Sequence, residues 1–198
     1  MLKIVQPPNP VLSQKTKEVK KIDKSILKLL EGMTQALLSA KDPVGVGLAA
    51  PQVEKSLQIF IAKPTLKSKI QVFINPQIIK KTEISHLTTD NDRGQQLNDI
   101  STKKLPANPR QTKLEGCLSL PNIWGEVKRE SEITVSYLDE KGNLLTRKFS
   151  GFIATIIQHE LDHLNGILFT KRVLEQKGTL YKSHKDEKGE DVFEEIEI

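Results

Sequence analysis

Hydrophobic residues recur at helical spacing in two parts of the chain. In the first part they lie three or four positions apart, and these residues are Ile22, Ile26, Leu29, Leu30, Met33, Leu37 and Ala40. The spacing predicts an amphipathic helix that begins after Asp23, a residue type favoured as an N-cap, and ends near Asp42-Pro43. The second predicted helix runs from about residue 151 to 165 and stops at Gly166. Apolar residues occupy most of its circumference, which predicts that the core of the protein surrounds it.

Shorter apolar runs predict β-strands. Two of them cover residues 57–62 and 70–74, and Asn75-Pro76 should end the second because proline cannot donate a backbone hydrogen bond. Residues 132–138 and 144–149 form a further pair, and the Gly-containing turn sequence between them predicts a hairpin.

Three regions lack a helical or strand-like core pattern. The first 20 residues are rich in proline and lysine and predict an extended arm packed on the body of the protein. Residues 81–113 have no apolar periodicity and predict a surface insertion. The charged tail from about residue 176 ends in Phe-Glu-Glu-Ile-Glu-Ile, whose alternation predicts an edge strand. A chain of 198 residues is expected to form a single catalytic domain around these features.

Composition and charge exclude several classes of protein. No run approaches the ~18 apolar residues of a membrane span, and the N-terminus lacks the apolar core of a signal peptide, so we expect a cytoplasmic protein. The single cysteine, Cys117, cannot form an internal disulfide, which agrees with a reducing compartment. A net charge of +5 and an aromatic content of 5% do not indicate nucleic-acid recognition.

The strongest chemical signal is His159-Glu160-Leu161-Asp162-His163, within the second predicted helix. Residues four apart lie on one face of a helix, so both imidazoles can reach one metal ion. Glu160 lies about 100° further round the helix, where its carboxylate can touch a water molecule bound to that ion. Two histidines and a glutamate without partners would be costly in a buried helix. The alternative is a pair of core histidines that donate to backbone carbonyls.

The third metal ligand decides which class of site this is. The extended zinc-peptidase motif continues to a final histidine, but Phe169 stands at that position here, which excludes the class. Glu175 and Glu187 lie in charged, solvated sequence. Cys117 is the better candidate, because a thiolate with two imidazoles suits Zn²⁺ or Fe²⁺, and three protein ligands leave one position open for water, as in a catalytic site.

Three segments together resemble the three motifs of the peptide deformylase family, in that family's order. They are Gly-Val-Gly-Leu-Ala-Ala-Pro-Gln (45–52), Glu-Gly-Cys-Leu-Ser (115–119) and Gln-His-Glu-Leu-Asp-His (158–163). The resemblance covers residues 1 to about 170, apart from 81–113, a stretch longer than the family usually has there. It implies an α+β fold in which mixed β-sheets pack around the central metal-binding helix.

The resemblance also implies a reaction. Members of this family are metal-dependent hydrolases that remove the N-formyl group from the N-terminal formylmethionine of newly synthesised proteins. Cys117, His159 and His163 would hold one divalent ion, natively Fe²⁺, with Zn²⁺, Ni²⁺ or Co²⁺ as alternatives. The partners would be formylated nascent peptides and, transiently, the ribosome, and the protein would be a monomer. The tail lacks the long amphipathic helix that some members have for ribosome docking.

Further residues receive roles from the same resemblance. Glu160 would be the general acid and base, and Gln52 with the backbone N–H of Leu118 would stabilise the oxyanion. The peptide site would be lined by Gly45, Val46, Gly47 and Gly116, with the glycines allowing close approach of a substrate backbone.

Several alternatives remain at the level of sequence. A different metal-dependent amidase or an aminopeptidase would share the helix motif, and a catalytically inactive binding module would share the fold. Asp162 could hydrogen-bond near the metal or form an ordinary salt bridge. Arg129 could serve the substrate, the packing or the surface.

Overall fold

The structure is a computed structural model that describes residues 2–82 and 113–197. In chain order its strands are β1 (Gly47–Ala49), β2 (Ile59–Ala62), β3 (Gln71–Thr82), β4 (Lys113–Cys117), β5 (Leu120–Val127), β6 (Glu132–Leu138), β7 (Leu144–Ser150), β8 (Leu180–Lys185) and β9 (Asp191–Glu195). Its α-helices are α1 (Lys24–Ser39), α2 (Gly151–Leu164) and α3 (Phe169–Glu175). The predicted insertion at 81–113 lies outside the described residues, except for its ends, which belong to β3 and β4.

The described strands form two sheets. One has the order β1-β2-β3-β6-β7 and the other the order β4-β5-β8-β9. The α+β class is therefore confirmed. The resemblance implied mixed sheets, but every pairing between these strands is antiparallel, so no crossover between parallel neighbours is needed.

Helix α1 forms where its apolar period predicts it. The Asp23 carboxylate accepts hydrogen bonds from the backbone N–H groups of Ser25 and Ile26, which satisfies two of the donors at the helix start. Its buried face packs into a core cluster with β1 and β2, and that face consists of Ile26, Leu30, Met33, Ala36 and Leu37.

Strand β3 departs from the prediction at Asn75-Pro76. The strand was expected to end there, but it continues to Thr82 after a shift in register between Ile74 and Gln77. Asn75 has a φ of 50°, and its side chain accepts from the N–H of Val19 and donates to the same residue's carbonyl. The irregularity places the proline where no ladder hydrogen bond is required of it.

Helix α2 lies at the centre of the fold, as its apolar circumference predicts. Ala154, Ile156, Ile157 and Leu164 pack into the same core cluster as Phe60 and Phe73. The helix ends before Gly166, which has a φ of +70°. Its buried polar residues all lie in its second half, and they are Gln158, His159, Glu160, Asp162 and His163.

The two ends of the chain pack against this body. In the N-terminal arm Leu12 is buried, and the Thr16 hydroxyl donates to the carbonyl of Leu164 over 2.8 Å. The predicted C-terminal edge strand is β9, which pairs with β8. The pattern of apolar residues did not predict β1, β5, β8 or α3. Among the described helices none is long and apolar enough to cross a membrane.

Candidate metal centre

Three predicted metal ligands meet at one point between α2 and β4. His159 and His163 lie one turn apart on α2, with ring centroids 5.0 Å apart. Cys117 is the last residue of β4, and its Sγ atom lies 3.1 Å from Nε2 of His163. The ligand atoms of the three residues all lie within 4.8 Å of one another, an arrangement that can hold a metal ion.

The turn between β4 and β5 presents the thiol. The two strands pair antiparallel, and their register shifts between Gly116 and Cys117. Leu118 and Ser119 make the reversal before β5 begins. The thiol therefore lies at the end of a paired strand, and Cys117 is only 4% exposed.

Glu115 orients the first histidine. Its Oε2 atom lies 3.0 Å from Nδ1 of His159. A carboxylate that accepts from Nδ1 leaves Nε2 as the metal-binding nitrogen of the ring. Glu115 stands two residues before Cys117, so β4 supplies both a ligand and the residue that orients another ligand.

Arg129 connects β4 to α2. Its guanidinium donates to both carboxylate oxygens of Glu115, over 2.8 and 2.9 Å, and to Asp162 over 2.6 Å. Arg172 pairs with the same aspartate at 2.7 Å. Asp162 therefore forms salt bridges with two arginines, and Arg129 forms salt bridges with two carboxylates. These contacts correspond to the structural alternatives for both residues. A cavity of about 470 Å³ opens beside this network, and two of the cations on its wall, Arg129 and Arg172, have acidic partners.

The network fixes the charge of Glu115. Burial by itself would raise the pKa of this carboxyl, but hydrogen bonds from Arg129 and His159 outweigh it and hold the pKa at about 2. The same balance lowers the pKa of Asp162, where burial is opposed by Arg172 and Arg129. Both carboxylates remain ionised at neutral pH.

The ligand atoms themselves form a site suited to a cation. Burial would raise the pKa of the Cys117 thiol, but His163 and His159 outweigh it and hold that pKa well below its ordinary value. Burial would lower the pKa of His159, yet contacts with Cys117 and Glu115 raise it well above the usual range. A thiolate beside two imidazoles in a buried site stabilises positive charge between them. The residues present therefore fit a divalent metal ion.

Glu160 lies beside this centre. Burial raises the pKa of its carboxyl to about 7, although His159 and His163 oppose the shift. Its Oε2 atom is buried and has no protein partner among the described residues, as is also true of Nδ1 of His163. A buried carboxylate oxygen without a partner is costly in a purely structural role.

Gly47 provides the room for that carboxylate. A Cβ atom at this position would overlap Oε1 of Glu160 and approach Cγ2 of Ile156 to 2.9 Å. The edge strand β1 therefore passes directly over Glu160. At Gly45, a Cβ would instead lie 2.7 Å from the carbonyl oxygen of Leu37, so α1 takes up the space there.

Gln52 points its amide into the same centre. Its side-chain carbonyl accepts from the N–H of Ala49 over 2.8 Å, which fixes the orientation of the amide. The NH₂ group then lies 3.5 Å from Sγ of Cys117 and 3.3 Å from the Ser119 hydroxyl. Gln52 is thus a hydrogen-bond donor turned toward the metal ligands.

Sequence reasoning missed the role of Trp124. Its ring packs against Gly116, where an added Cβ would lie 3.0 Å from two ring carbons. Gly116 was predicted to line the peptide site, and in the structure the absence of a side chain at this position accommodates the indole. Trp124 pairs with Gly116 across β4 and β5, a contact that only a prediction of the strand register could have found.

Comparisons with known proteins agree with this geometry. The family model described as polypeptide deformylase matches residues 1–178. A curated relative, peptide deformylase 1 of Bacillus cereus, is 36% identical over 173 residues, which are 87% of this chain and 92% of that protein. The peptide deformylase of Agrobacterium fabrum is 34% identical, with 84% of this chain and 83% of that protein covered.

Solved structures give the same result. The peptide deformylase of Thermus thermophilus superposes with a TM-score of 0.70 at 32% identity, covering 89% of this chain and 88% of that one. A peptide deformylase from Synechococcus elongatus, solved in complex with actinonin, gives a TM-score of 0.68 at 33% identity, with 87% and 78% covered.

Proposed function

The chain belongs to the polypeptide deformylase family, and we propose that it removes the formyl group from the N-terminal formylmethionine of newly synthesised proteins by hydrolysis. One observation carries the proposal. The donor atoms of Cys117, His159 and His163 converge within 4.8 Å. The amide of Gln52 is directed to Cys117, and the neighbouring Glu160 carries a buried carboxylate oxygen without a protein partner among the described residues.

Cys117, His159 and His163 would hold one divalent ion, Fe²⁺ as the native metal, with Zn²⁺, Ni²⁺ or Co²⁺ as substitutes. Such an ion supplies Lewis acidity, which makes water a usable nucleophile near neutral pH and polarises a carbonyl group. Three protein ligands leave room for solvent or substrate, as catalytic centres require. A thiolate ligand also makes the centre vulnerable to oxidation, which fits an iron enzyme that loses activity in air.

Glu160 would move the proton. It would accept the proton of the attacking water and return it to the amide nitrogen as the bond between the formyl carbon and that nitrogen breaks, so that formate and a free amine leave. In the protein without a metal ion, burial raises the pKa of this carboxyl to about 7, so its environment makes the protonated form accessible near neutral pH. Positioned proton transfer of this kind contributes about 10²–10⁴ in rate.

Gln52 and the backbone N–H of Leu118 would donate to the formyl oxygen as negative charge develops on it. The bond from Ala49 to the Gln52 carbonyl holds the amide in the orientation that donates. A neutral amide also brings no charge that would repel a cation. Losing one such donor typically lowers the rate about 10²–10³-fold.

The substrate would lie along the edge of β1. β1 is the outer strand of its sheet, so Gly47 and Val46, the residue just before the strand, would pair with an extended peptide as an added strand. Gly47 would bring the first residue of that peptide over Glu160, and Gly45 and Gly116 would flank it. Ile156 and Val46, with the half-exposed Phe152, are the candidates for the methionine pocket.

The cellular setting follows from the substrate. Formylated nascent chains emerge from the ribosome, so the enzyme would work in the cytoplasm as a monomer that associates transiently with ribosomes. Its C-terminal segment forms the β8–β9 hairpin, so ribosome docking, if it uses this end, would use a hairpin.

A comparison of substrates tests the proposal. Metal-loaded enzyme, purified without oxygen and analysed for its metal, should release formate from formyl-Met-Ala and leave Met-Ala and internal peptide bonds intact. Faster cleavage of an internal bond or of a free N-terminal residue would instead identify an aminopeptidase or a general amidase. A protein that holds metal but hydrolyses none of these substrates would be a binding module.

A further inference from the structure

The charges of this chain are unevenly distributed along the sequence. Residues 1–82 contain 14 lysines and 5 acidic residues, which give a net charge of +9. Residues 113–198 contain 12 lysines and arginines against 16 acidic residues, which give a net charge of −4, and the segment between them carries four charges of each sign. The total of +5 therefore combines a strongly basic first part of the chain with an acidic second part.

The fold places much of the basic part on the opposite side of a sheet from the metal centre. In β2, Ile59 and Ile61 pack in one core cluster with α1, whereas Phe60 and Ala62 pack in another cluster with α2. Successive side chains of a strand point to opposite faces of its sheet, so this sheet separates α1 from α2. Because α2 carries the two histidine ligands, the outer side of α1 faces away from the metal centre.

The N-terminal arm lies on the same side of the sheet as α1. Leu2 contacts Gly32 of α1, where an added Cβ would lie 2.9 Å from its Cδ1 atom, and Val19 is buried in the core cluster of α1. The N–H of Lys17 donates to the carbonyl of Ser56 over 3.1 Å. The arm, the outer side of α1 and the segment before β2 thus form one surface, here called the basic face. Its exposed lysines are Lys3, Lys15, Lys17, Lys20, Lys21, Lys24, Lys28 and Lys55.

Much of the positive charge on the basic face is uncompensated. None of its eight lysines forms an ion pair with a described residue, whereas the ion pairs between described residues all lie between 115 and 194. Four acidic residues share this surface, Glu18, Asp23, Glu31 and Glu54. The Asp23 carboxylate already caps α1, and Glu54 accepts a hydrogen bond from Asn9. The basic face therefore presents free ammonium groups to a polyanion.

The residue types on the basic face favour phosphate groups as the partner. Residues 1–59 contain no arginine and no aromatic residue. Lysine contacts a phosphate as a flexible point charge, and without aromatic side chains there is no platform on which bases could stack. The Trp and Tyr residues that anchor proteins at a membrane interface are absent from these residues too. This surface fits the backbone of a folded RNA, contacted without regard to sequence.

We propose that the basic face docks the enzyme on the phosphate backbone of ribosomal RNA. The inference rests on the proposed function, since formylated chains emerge from an RNA-rich particle, and it leaves the metal centre, across the sheet, open to them. Such docking reads no bases, so the low aromatic content of the chain does not oppose it. Residues 179–198 carry three lysines and seven acidic residues, and this acidic end is repelled by phosphate.

Two variants with the same net charge test the location of the contact. The first replaces Lys15, Lys17, Lys20 and Lys24 by glutamine. The matched control makes the same replacement at four other exposed lysines without an ion pair to a described residue, which are Lys141, Lys171, Lys177 and Lys188. Replacements of this kind at the surface seldom change stability, and the Tm of each variant checks this.

Titration of a short fluorescent RNA duplex at increasing salt measures the contact. Wild-type protein should bind with a Kd of about 10⁻⁴–10⁻⁶ M at physiological salt, and log K should fall linearly with log salt. The basic-face variant should bind at least about tenfold more weakly and lose about 3–4 from that slope. The control should stay within about twofold of wild type, because charges beyond a Debye length are screened. Equal losses in the two variants would overturn the inference.

Two further measurements separate docking from chemistry. Both variants should hydrolyse formyl-Met-Ala at the wild-type rate, but only the basic-face variant should lose co-sedimentation with ribosomes. If wild-type enzyme does not hydrolyse formyl-Met-Ala, the proposed function fails, whatever the RNA titration shows. If it does, but binds neither the duplex nor ribosomes, the docking inference fails alone. Tighter binding to phosphatidylglycerol vesicles than to RNA would identify a membrane surface and overturn the inference as well.

Discussion

Glu160 shows most clearly how a single residue departs from the rules of a stable core. It is 3% exposed, its Oε2 atom has no protein partner among the described residues, and burial moves its pKa to about 7. Position 47 is a glycine, and a Cβ atom there would overlap this carboxylate. Glu160 and Gly47 thus both depart from ordinary core packing, as expected if the carboxylate has the catalytic role that we propose for it.

Replacing Glu160 by glutamine separates chemistry from metal binding. The amide matches the carboxylate in shape but cannot accept a proton, so kcat/KM for formyl-Met-Ala should fall by about 10²–10⁴, while the metal content per chain stays unchanged. Elemental analysis and the formate assay measure the two quantities. Glu31→Gln, on the exposed surface of α1, serves as the control, and a fully active Glu160→Gln would refute the assigned role.

At the scale of elements, the centre depends on how β4 is held against α2. Arg129 bonds Glu115 on the strand and Asp162 on the helix, and its side chain is only 9% exposed. Glu115 in turn orients His159. The relative position of the thiol and the imidazoles is therefore set by a buried ion network behind them.

Arg129→Met should show the importance of this network. Removing one partner leaves buried carboxylates uncompensated, so the free energy of unfolding should fall by about 3–5 kcal/mol, and metal affinity should weaken as well. Lys148→Met is the matched control, because it breaks the ion pair with Glu132 through a side chain that is 65% exposed and should cost below about 1 kcal/mol. Urea denaturation measures both, and equal losses would contradict the structural role of Arg129.

At the scale of the whole molecule, metal binding and folding should be linked. The ligands come from β4 and α2, so an ion that binds them stabilises the folded state over the unfolded chain. Removal of the metal with a chelator should lower the Tm, and added Zn²⁺ or Ni²⁺ should restore it in proportion to the logarithm of its concentration. Cys117→Ala should lose this dependence, and a Tm indifferent to metal in the wild type would argue against a site in the folded core.

Acid should destabilise the molecule through the same region. Glu115 has a pKa of about 2 in the folded protein, below its ordinary value of 4.5, and the pKa of Asp162 is also lowered. The stability that Glu115 contributes is fully present above its ordinary pKa and is lost as pH falls from there toward about 2, and the contribution of Asp162 is lost in the same direction. Urea denaturation across this range should show the decline, with a flatter profile for Glu115→Gln; identical profiles would mean that the network does not control acid stability.

Much of this protein follows from local pattern. The period of apolar residues determined α1, α2 and the hairpin of β6 and β7, because each element must bury one face whatever its neighbours are. The ligand chemistry followed from residue types: two imidazoles one turn apart and a single thiol. The prediction that β3 ends at Asn75-Pro76 was wrong, because an irregular register lets the strand continue past the proline.

Only the tertiary structure decided which distant groups meet. It brought Cys117 to the histidines, gave Arg129 its place between β4 and α2, and set the C-terminal hairpin beside Trp124. These contacts join residues that no local spacing relates. They arise because separate elements bury their apolar faces against one another. This packing brings polar side chains at the boundaries between the elements within hydrogen-bonding distance.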